Sequence, residues 1–359
     1  MNIDELIHQR GAWLDIEHDS GVVVSSRVRL ARNLQKSAFP GWAGAEECDV
    51  LWRELRAVLL DAPSLRPAEA VGMGELDEIE KAIFFERHLI SREQAEKGKG
   101  SGLVFHKDEG ISAMVNEEDH LRLQCMRPGL DLHGTWDAIN GLDSEIEQRV
   151  EYAFSPKLGY LTACPTNVGT GLRASVMLHL PGLTLMNEIG PIMKGMTKIG
   201  LAVRGLWGEG TEATGNMYQI SNQMTLGEEE TTIIGNLERI VLEIIGHEKD
   251  ARLRLMEKRE TTVRDHVGRA FGILSFAHSL SSKEALDLLS GLRLGIDLGI
   301  LKNVGRRTVD ELMLITQPGH LQRLEARALK PKDRDRVRAQ EVRSRLAGAV
   351  PGKEMQDRK

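Results

Sequence analysis

The chain has 359 residues, of which 41% are hydrophobic and 28% charged, and its net charge is −6. This length allows two domains, and the composition is ordinary for a soluble globular protein. The negative charge argues against a general nucleic-acid or membrane-surface binder. Cys48, Cys125 and Cys164 are too few and too far apart to predict a disulfide framework or a metal cluster. With no secretory-signal or transmembrane pattern, we expect a cytoplasmic protein without nucleic-acid or membrane partners.

The first part of the chain mixes strand and helix patterns. β-branched and alternating segments predict strands, and apolar residues at a 3.6-residue period predict helices. In chain order the predictions are a helical lead-in over 1–20, a strand from Gly21, a helix over 45–60, a strand over 82–91, a loop over 96–102 and an antiparallel hairpin over 103–126 about an Asp-Glu-Gly turn.

The predicted secondary structure changes near residue 258: strand patterns stop there, and helical periodicity continues to the C-terminal part of the chain. Before that point we predict a helix over 135–154, a strand over 159–164, a glycine loop, a helix over 173–180, strands over 201–210 and 217–226, and a charged helix over 228–258. The fold class is therefore α+β. The predicted domains are a lead-in over 1–20, a catalytic domain over 21–255, a helical domain over 258–350 and a flexible tail over 351–359.

Five arginines stand at strand ends or beside glycines, where a cleft would expose them: Arg27, Arg29, Arg122, Arg173 and Arg204. A guanidinium group offers a fixed fork of donors that matches phosphate oxygens, and it keeps its charge. Convergence of several arginines would hold a polyphosphate and stabilise phosphoryl transfer. The alternative, five unrelated surface arginines, is not removed by spacing alone.

A glycine loop lies in CPTNVGTGLRASVMLHLP, residues 164–181. Backbone amides over 167–171, presented before a helix, would form an anion-binding concavity. A plain tight turn is an equal alternative, because a Gly-Thr-Gly sequence is a weak signal. The chain has no Walker, Rossmann or protein-kinase motif.

Four blocks together resemble the phosphagen kinases, the family of creatine and arginine kinases: SSRVRLARN (25–33), NEEDHLR (116–122), the segment 164–181, and RGLWGEGTEATGNMYQISN (204–222). The resemblance implies transfer of the γ-phosphoryl of ATP to a guanidinium nitrogen, on a glutamine-synthetase-like antiparallel sheet flanked by helices. It implies an ATP site formed by Ser25, Ser26, Arg27, Val28, Arg29, His88, Arg122, Arg173, Ala174, Ser175, Val176, Met177, Arg204, Gly205, Leu206, Trp207, Gly208 and Glu209. Mg²⁺ would arrive on the ATP phosphates, and no dedicated metal site is expected.

The chemistry requires a carboxylate, because a guanidinium stays protonated at pH 7 and its deprotonation costs roughly 8 kcal/mol. A carboxylate must hold it in line and accept the proton. The resemblance assigns this role to Glu118, and it makes Glu209 and Glu212 candidates for a second guanidinium contact. It also matches Cys164 to the family's reactive cysteine, which would tune the guanidinium or the loop rather than act as a covalent nucleophile.

Two departures from the small-molecule members point to a subfamily. The SSRVR block begins at Ser25, so we expect the N-terminal domain that closes over creatine or free arginine to be nearly absent, and we expect a helical domain after residue 258. An open guanidinium side would admit an arginine on a protein. This combination resembles the bacterial protein arginine kinases.

The segment RDRVRA resembles the motif with which that subfamily binds phosphoarginine at a regulatory site: Arg334, Asp335, Arg336, Val337, Arg338 and Ala339. Arg334 and Arg338 are four residues apart on one helix face and would clamp a phosphoryl group, while Asp335 would pair with the guanidinium. The alternative is a solvated basic helix.

The resulting hypothesis is an ATP-dependent protein arginine kinase of the bacterial stress response, activated by phosphoarginine. The resemblance implies protein substrates such as the heat-shock repressor and unfolded proteins, a Clp-type unfoldase, a possible activator protein and a homodimer. The alternatives are a small-molecule guanidino kinase and an inactive protein that only binds phosphoarginine.

Overall fold

The structure, a computed structural model, describes residues 3–14, 21–205 and 213–347. Its strands are β1 (Val23–Arg32), β2 (Ala68–Gly72), β3 (Gly102–His106), β4 (Ile111–Val115), β5 (Leu121–Pro128), β6 (Phe154–Ser155), β7 (Gly159–Tyr160), β8 (Leu172–His179), β9 (Leu201–Arg204) and β10 (Met217–Asn222). Eight of them form one sheet in the order β2-β3-β4-β5-β1-β8-β10-β9, and β6 pairs with β7. Every neighbouring pair is antiparallel, which confirms the predicted α+β class with a large antiparallel sheet.

The α-helices are α1 (Ile3–His8), α2 (Ala45–Asp61), α3 (Glu78–Glu86), α4 (Arg92–Ala95), α5 (Leu132–Glu147), α6 (Pro181–Leu185), α7 (Ile189–Lys198), α8 (Glu230–Phe276), α9 (Ser282–Asp297), α10 (Arg306–Ile315), α11 (Pro318–Leu324) and α12 (Pro331–Leu346). Short 3₁₀ turns occupy Ala12–Leu14, Pro63–Leu65, Met73–Glu75, Pro165–Asn167 and Thr214–Asn216. None of the helices within the described ranges is long and apolar enough to cross a membrane.

Two predicted elements are wrong. The segment 173–180 is strand β8 rather than a helix. Its Ala and Leu content favours a helix, but the segment pairs in register with β1 on one side and β10 on the other. The segment 82–91 contains the end of α3 rather than a strand. Asp77 and Glu80 form a capping box that starts this helix upstream of the apolar run.

Several boundaries also differ from the predictions. The hairpin predicted over 103–126 is confirmed by β3 and β4, and the same range also contains most of a third strand, β5. The helix predicted over 135–154 ends at Glu147, and the strand predicted over 159–164 keeps only Gly159 and Tyr160. The charged helix runs on to Phe276, with a break in its helical geometry at Arg259.

The main core lies between one face of the sheet and the helices α5 and α8. Val28 of β1 and Val176 of β8 are fully buried there, against Ile139 of α5 and Leu237 of α8. Because side chains alternate across a strand, their neighbours in sequence project from the opposite face. That opposite face carries the candidate site.

A second core joins the C-terminal helices to the end of the sheet. Residues of α8, α9, α10 and α12 pack together with Val24, Met177 and Met217, which come from β1, β8 and β10. Another contact lies at the end of α3, where both oxygens of buried Glu86 accept backbone N–H groups at the start of α11. The C-terminal helices are therefore fixed directly against the sheet.

Candidate functional site

The predicted arginines of β1, β5 and β8 lie on one face of the sheet. In the register of these strands Arg29 is directly opposite Arg173, and Arg122 is opposite Ala31, two residues further along β1. Residues directly opposite one another in an antiparallel pair share a face. Arg27 and Arg29 therefore share the face of Arg122 and Arg173.

A cavity of about 950 Å³ opens on this face. Its lining includes predicted site residues from widely separated positions of the chain: Arg27, Arg29, His88, Glu118, Arg122, Cys164, Arg173 and Arg204. The structure thus brings the five arginines together with Glu117 and Glu118 of the NEEDHLR block and with the cysteine.

Arg27 and Arg29 are buried beside other arginines, and the repulsion between these positive charges suits the cluster to binding a polyanion. Burial, followed by the charges of Arg122, Arg173 and Arg204, lowers the pKa of Arg27 to about 10. Burial and the neighbouring arginines also lower the pKa of Arg29 well below its ordinary value. Its Nε is buried without a hydrogen-bond partner in the part of the chain that the structure describes. A polyanion would relieve the repulsion and supply the missing acceptor.

His88 stands between this cavity and a smaller apolar one of about 60 Å³. Burial, and then the charge of Arg27, lowers the pKa of His88 to about 3, so the imidazole is neutral. Its ring meets Trp13 edge-on, with 5.1 Å between ring centroids. The backbone carbonyl of His88 accepts a hydrogen bond from Gln124 at 2.8 Å, and its φ of 60° is left-handed.

The smaller cavity is walled by three parts of the chain. Ser25 and Met177 come from the sheet, Trp13 from the N-terminal segment, and Met313 and Leu314 from α10. The indole Nε1 of Trp13 is buried and has no hydrogen-bond partner within the described residues. An aromatic ring with polar edges fits such a lining, since the walls are apolar and one donor is unpaired.

The three acids of the NEEDHLR block have three different environments. Glu117 is buried, and it accepts hydrogen bonds from Ser91, Arg122 and the backbone N–H of Glu118. Burial acts to raise its pKa, but Arg122, Ser91 and that amide together lower it. Asp119 is buried as well, and it accepts bonds from Asn33 and from the backbone at position 163.

Glu118 is the exposed member of the three and lines the large cavity. Loss of hydration, followed by the negative charges of Asp119 and Glu117, raises its pKa. Because its two neighbours are committed to internal bonds, Glu118 is the carboxylate of this block that is available to a ligand. A raised pKa also makes it a stronger proton acceptor.

Cys164 is half-buried at the wall of the same cavity. Its Sγ is 3.0 Å from the Thr166 hydroxyl, and its carbonyl accepts a bond from Thr162. The glycine loop that follows does not form the anion-binding concavity described above as one alternative. The amides at 167, 168, 169 and 170 all donate to carbonyls of the protein, and the next element is a strand. The plain turn is the correct interpretation.

The other predicted ATP-site residues within the described ranges do not line the large cavity. Ser26, Val28, Ala174 and Val176 are buried on the opposite face of the sheet. Ser175 lines the smaller cavity and accepts a bond from Arg27 Nε at 3.4 Å. Gly205 is buried at the end of β9. The remaining predicted residues lie outside the described ranges: Leu206, Trp207, Gly208, Glu209 and Glu212.

The RDRVRA motif forms part of α12. Arg338 is buried and donates to the carbonyls of Leu280 and Thr316 and to Asp335 Oδ1. Arg334 is half-buried and donates to the carbonyl of Leu329.

The accessible members of the motif are therefore Arg334, Asp335 and Arg336, together with half-buried Val337. Arg338 holds Asp335 in place, and Ala339 packs in the second core.

Sequence reasoning missed three residues of the site. Trp13 has no motif around it, so only tertiary packing reveals its contact with His88. Ser91 was assigned to a strand, although it caps α4 and bonds Glu117. Gln219 lies opposite both Met177 and Arg204 and lines both cavities. The alternating pattern of β10, polar at position 219 between apolar residues, was the available signal.

Solved structures with the same fold identify the class. A duplicated taurocyamine kinase from Schistosoma mansoni matches with a TM-score of 0.60 and 25% identity, covering 68% of this chain and 35% of that one. A lombricine kinase matches with a TM-score of 0.57 and 24% identity, covering 67% of this chain and 69% of that one. The fold is that of the phosphagen kinases.

Sequence relatives identify the family. The ATP:guanido phosphotransferase catalytic-domain model matches residues 57–251, and the McsB C-terminal-domain model of protein-arginine kinase matches residues 260–357. A protein-arginine kinase of Halothermothrix orenii is 48% identical over 90% of this chain and 93% of its own length. One of Desulforamulus reducens is 45% identical over 93% and 95%. The chain belongs to the ATP:guanido phosphotransferase family.

Proposed function

We propose that the protein is a kinase that transfers the γ-phosphoryl group of Mg-ATP to arginine side chains of proteins. The single observation that carries the proposal is the shared cavity, in which five arginines and one available carboxylate, Glu118, line the same space. The names of the relatives support the choice of arginine on a protein as the acceptor. Both family models match the chain, including its C-terminal helices.

The nucleotide would lie along the arginine face of the sheet. The triphosphate meets the arginine cluster, where Arg29 Nε lacks an acceptor within the described residues, and Mg²⁺ arrives as part of this substrate. The base fits the smaller cavity beside Ser25, His88 and Met177, with Trp13 Nε1 available as a donor. Neutral His88 contacts the base without adding another positive charge.

Glu118 would hold the acceptor guanidinium at the end of the triphosphate. As the bond forms between the guanidinium nitrogen and the γ-phosphorus, the bond from that phosphorus to the β–γ bridging oxygen breaks. The nitrogen releases a proton to the Glu118 carboxylate, and ADP leaves with the bonding electrons. The arginines stabilise the charge on the transferring group.

The neighbouring groups position these reactants. Glu117 fixes Arg122 and the backbone of Glu118, and Cys164 lies at the wall where the guanidinium enters. We assign Cys164 to tuning the guanidinium and Glu209 and Glu212 to a second guanidinium contact; both glutamates lie outside the described residues.

Regulation and partners extend the proposal. Arg334 and Asp335 would bind phosphoarginine at the surface of α12, so that product activates the enzyme. The protein would act as a homodimer in the bacterial cytoplasm and stress response, marking the heat-shock repressor and unfolded proteins for a Clp-type unfoldase, with or without an activator protein. These extensions rest on the resemblance of the RDRVRA segment and of the whole chain to the bacterial protein arginine kinases.

Mass spectrometry tests the proposal. A disordered, arginine-containing protein and, separately, free arginine are incubated with enzyme and Mg-ATP. We expect an acid-labile phosphate on arginines of the protein, and little turnover of free arginine. Phosphate on free arginine alone would make the protein a small-molecule guanidino kinase. Transfer to neither acceptor, with phosphoarginine still bound, would leave an inactive phosphoarginine-binding protein.

A further inference from the structure

Trp42 is a large apolar side chain that is exposed to solvent and lines the large cavity. It lies in the loop between β1 and α2, its side chain is 90% exposed, and it lines the large cavity together with Phe39 and Gly41. Single exposed apolar side chains are common on protein surfaces. This one differs because it shares a cavity wall with Glu118, the carboxylate assigned to the acceptor.

The loop that carries Trp42 is fastened to the residues next to Glu118. His120 Nδ1 accepts the backbone N–H of Leu34 at 3.0 Å, and its Nε2 donates to the carbonyl of Ala38 at 2.9 Å. Burial lowers the pKa of His120, which favours the neutral ring that this donor–acceptor pair requires. The ring of Phe39 packs edge-on against His120 at 5.9 Å.

A second set of bonds ties the start of the loop to the cysteine side of the cavity. Asn33 Oδ1 accepts the backbone N–H of His120, and its Nδ2 donates to Asp119 at 2.6 Å. The same Asp119 oxygen accepts the backbone N–H of Ala163 at 2.7 Å. Trp42 is thus exposed on an anchored loop whose position is set relative to Glu118.

We propose that Trp42 is a specificity-determining residue that packs against the polypeptide segment beside the target arginine and favours apolar flanking residues. This inference rests on the proposed function. The guanidinium reaches Glu118, while the rest of a polypeptide stays outside the cavity and meets the rim. Free arginine has no such flanking segment. An exposed indole gains most by covering apolar side chains, which are the residues that unfolding exposes next to arginines.

Initial-rate kinetics test this with three acceptors: a peptide with one arginine between leucines, the same peptide with serines in place of the leucines, and free arginine. Wild-type protein is compared with Trp42→Ala and Trp42→Phe. The matched control is Leu253→Ala, which removes an exposed apolar side chain of α8 outside the cavity lining.

The wild type should have a KM about tenfold lower for the leucine peptide than for the serine peptide, as expected for covering one aromatic ring. Trp42→Ala should raise the KM for the leucine peptide about tenfold and leave kcat, the KM for Mg-ATP and the KM for the serine peptide nearly unchanged. Trp42→Phe should lie between, and Leu253→Ala should match the wild type.

An equal KM for the leucine peptide in the wild type and Trp42→Ala would overturn the inference. So would an equal loss for all substrates including Mg-ATP, because that result indicates a structural role. If the wild type phosphorylates no acceptor, the proposed function fails. Fluorescence anisotropy of a labelled leucine peptide then decides the Trp42 inference separately, because an unchanged Kd in Trp42→Ala would refute it.

Discussion

Replacing Arg27 by methionine should stabilise the nucleotide-free protein while weakening its binding of Mg-ATP. The guanidinium lies among Arg122, Arg173 and Arg204, and burial together with their charges lowers its pKa to about 10. At 1.36 kcal/mol per pKa unit, keeping this charge costs about 3 kcal/mol relative to water. The substitution also removes the hydrogen bond from Arg27 to Ser175, which contributes about 1 kcal/mol. The net gain in the free energy of unfolding should be about 1 to 2 kcal/mol.

Urea unfolding measures both effects. Without nucleotide, the midpoint of Arg27→Met should rise, while the control Arg239→Met, which changes an exposed side chain of α8, should shift the free energy of unfolding by less than about 0.5 kcal/mol. With saturating Mg-ATP the wild type should gain more stability than the variant, since a ligand stabilises in proportion to its affinity. Loss of one charge-assisted bond to phosphate should raise the Kd about 10- to 100-fold.

The reasoning is refuted if Arg27→Met is less stable than the wild type without nucleotide and gains the same stabilisation from Mg-ATP. That result would mean that the guanidinium is bonded within the protein and is not held ready for a polyanion.

Three further predictions follow from the same geometry. First, kcat/KM should fall as the pH drops through a value above that of an ordinary glutamate, about 4.3, because the pKa of Glu118 is raised and only the carboxylate accepts a proton; a pH–rate profile with its acid limb at or below that value would contradict this. Second, Cys164→Ser should keep activity within about tenfold in initial-rate assays, since a tuning group contributes less than a nucleophile; complete loss with nucleotide binding intact would indicate a covalent role. Third, Glu86→Ala should lower the free energy of unfolding by about 2 to 4 kcal/mol in urea, because it leaves two buried amides at the start of α11 without acceptors; an unchanged midpoint would show that this contact is dispensable.

The sheet was predictable where the sequence pattern is local. The strand from Gly21 and the hairpin over 103–126 carry β-branched residues, alternation and a turn, and the structure confirms both. The segment 173–180 failed because its residue types favour a helix, whereas pairing with β1 and β10 on both sides decides its state. Long-range pairing of this kind overrides local propensity.

Prediction of the site was limited in a similar way. The arginines were recognisable from a resemblance between motifs, but only the register of β1, β5 and β8 shows that they share a face. The distinct roles of Glu117, Glu118 and Asp119 could not be read from three adjacent acids. They depend on partners elsewhere in the chain, such as Ser91 and Asn33.

The contact of Trp13 with His88 needed the folded chain as well. Met313 and Leu314 of the C-terminal helices line the smaller cavity, and they too come from a distant part of the sequence. Neither contact has a local pattern, because each joins segments that are separated by most of a domain.

The most direct test of the central claim is a single-turnover measurement of Glu118→Gln. Enzyme loaded with Mg-ATP is mixed with an unfolded arginine-containing protein, and both the rate of phosphoryl transfer and the Kd for Mg-ATP are determined. The account predicts a transfer rate lowered at least about 100-fold with the Kd within about threefold of the wild type, because the carboxylate acts on the guanidinium and the arginines bind the nucleotide. A transfer rate within tenfold of the wild type would contradict it.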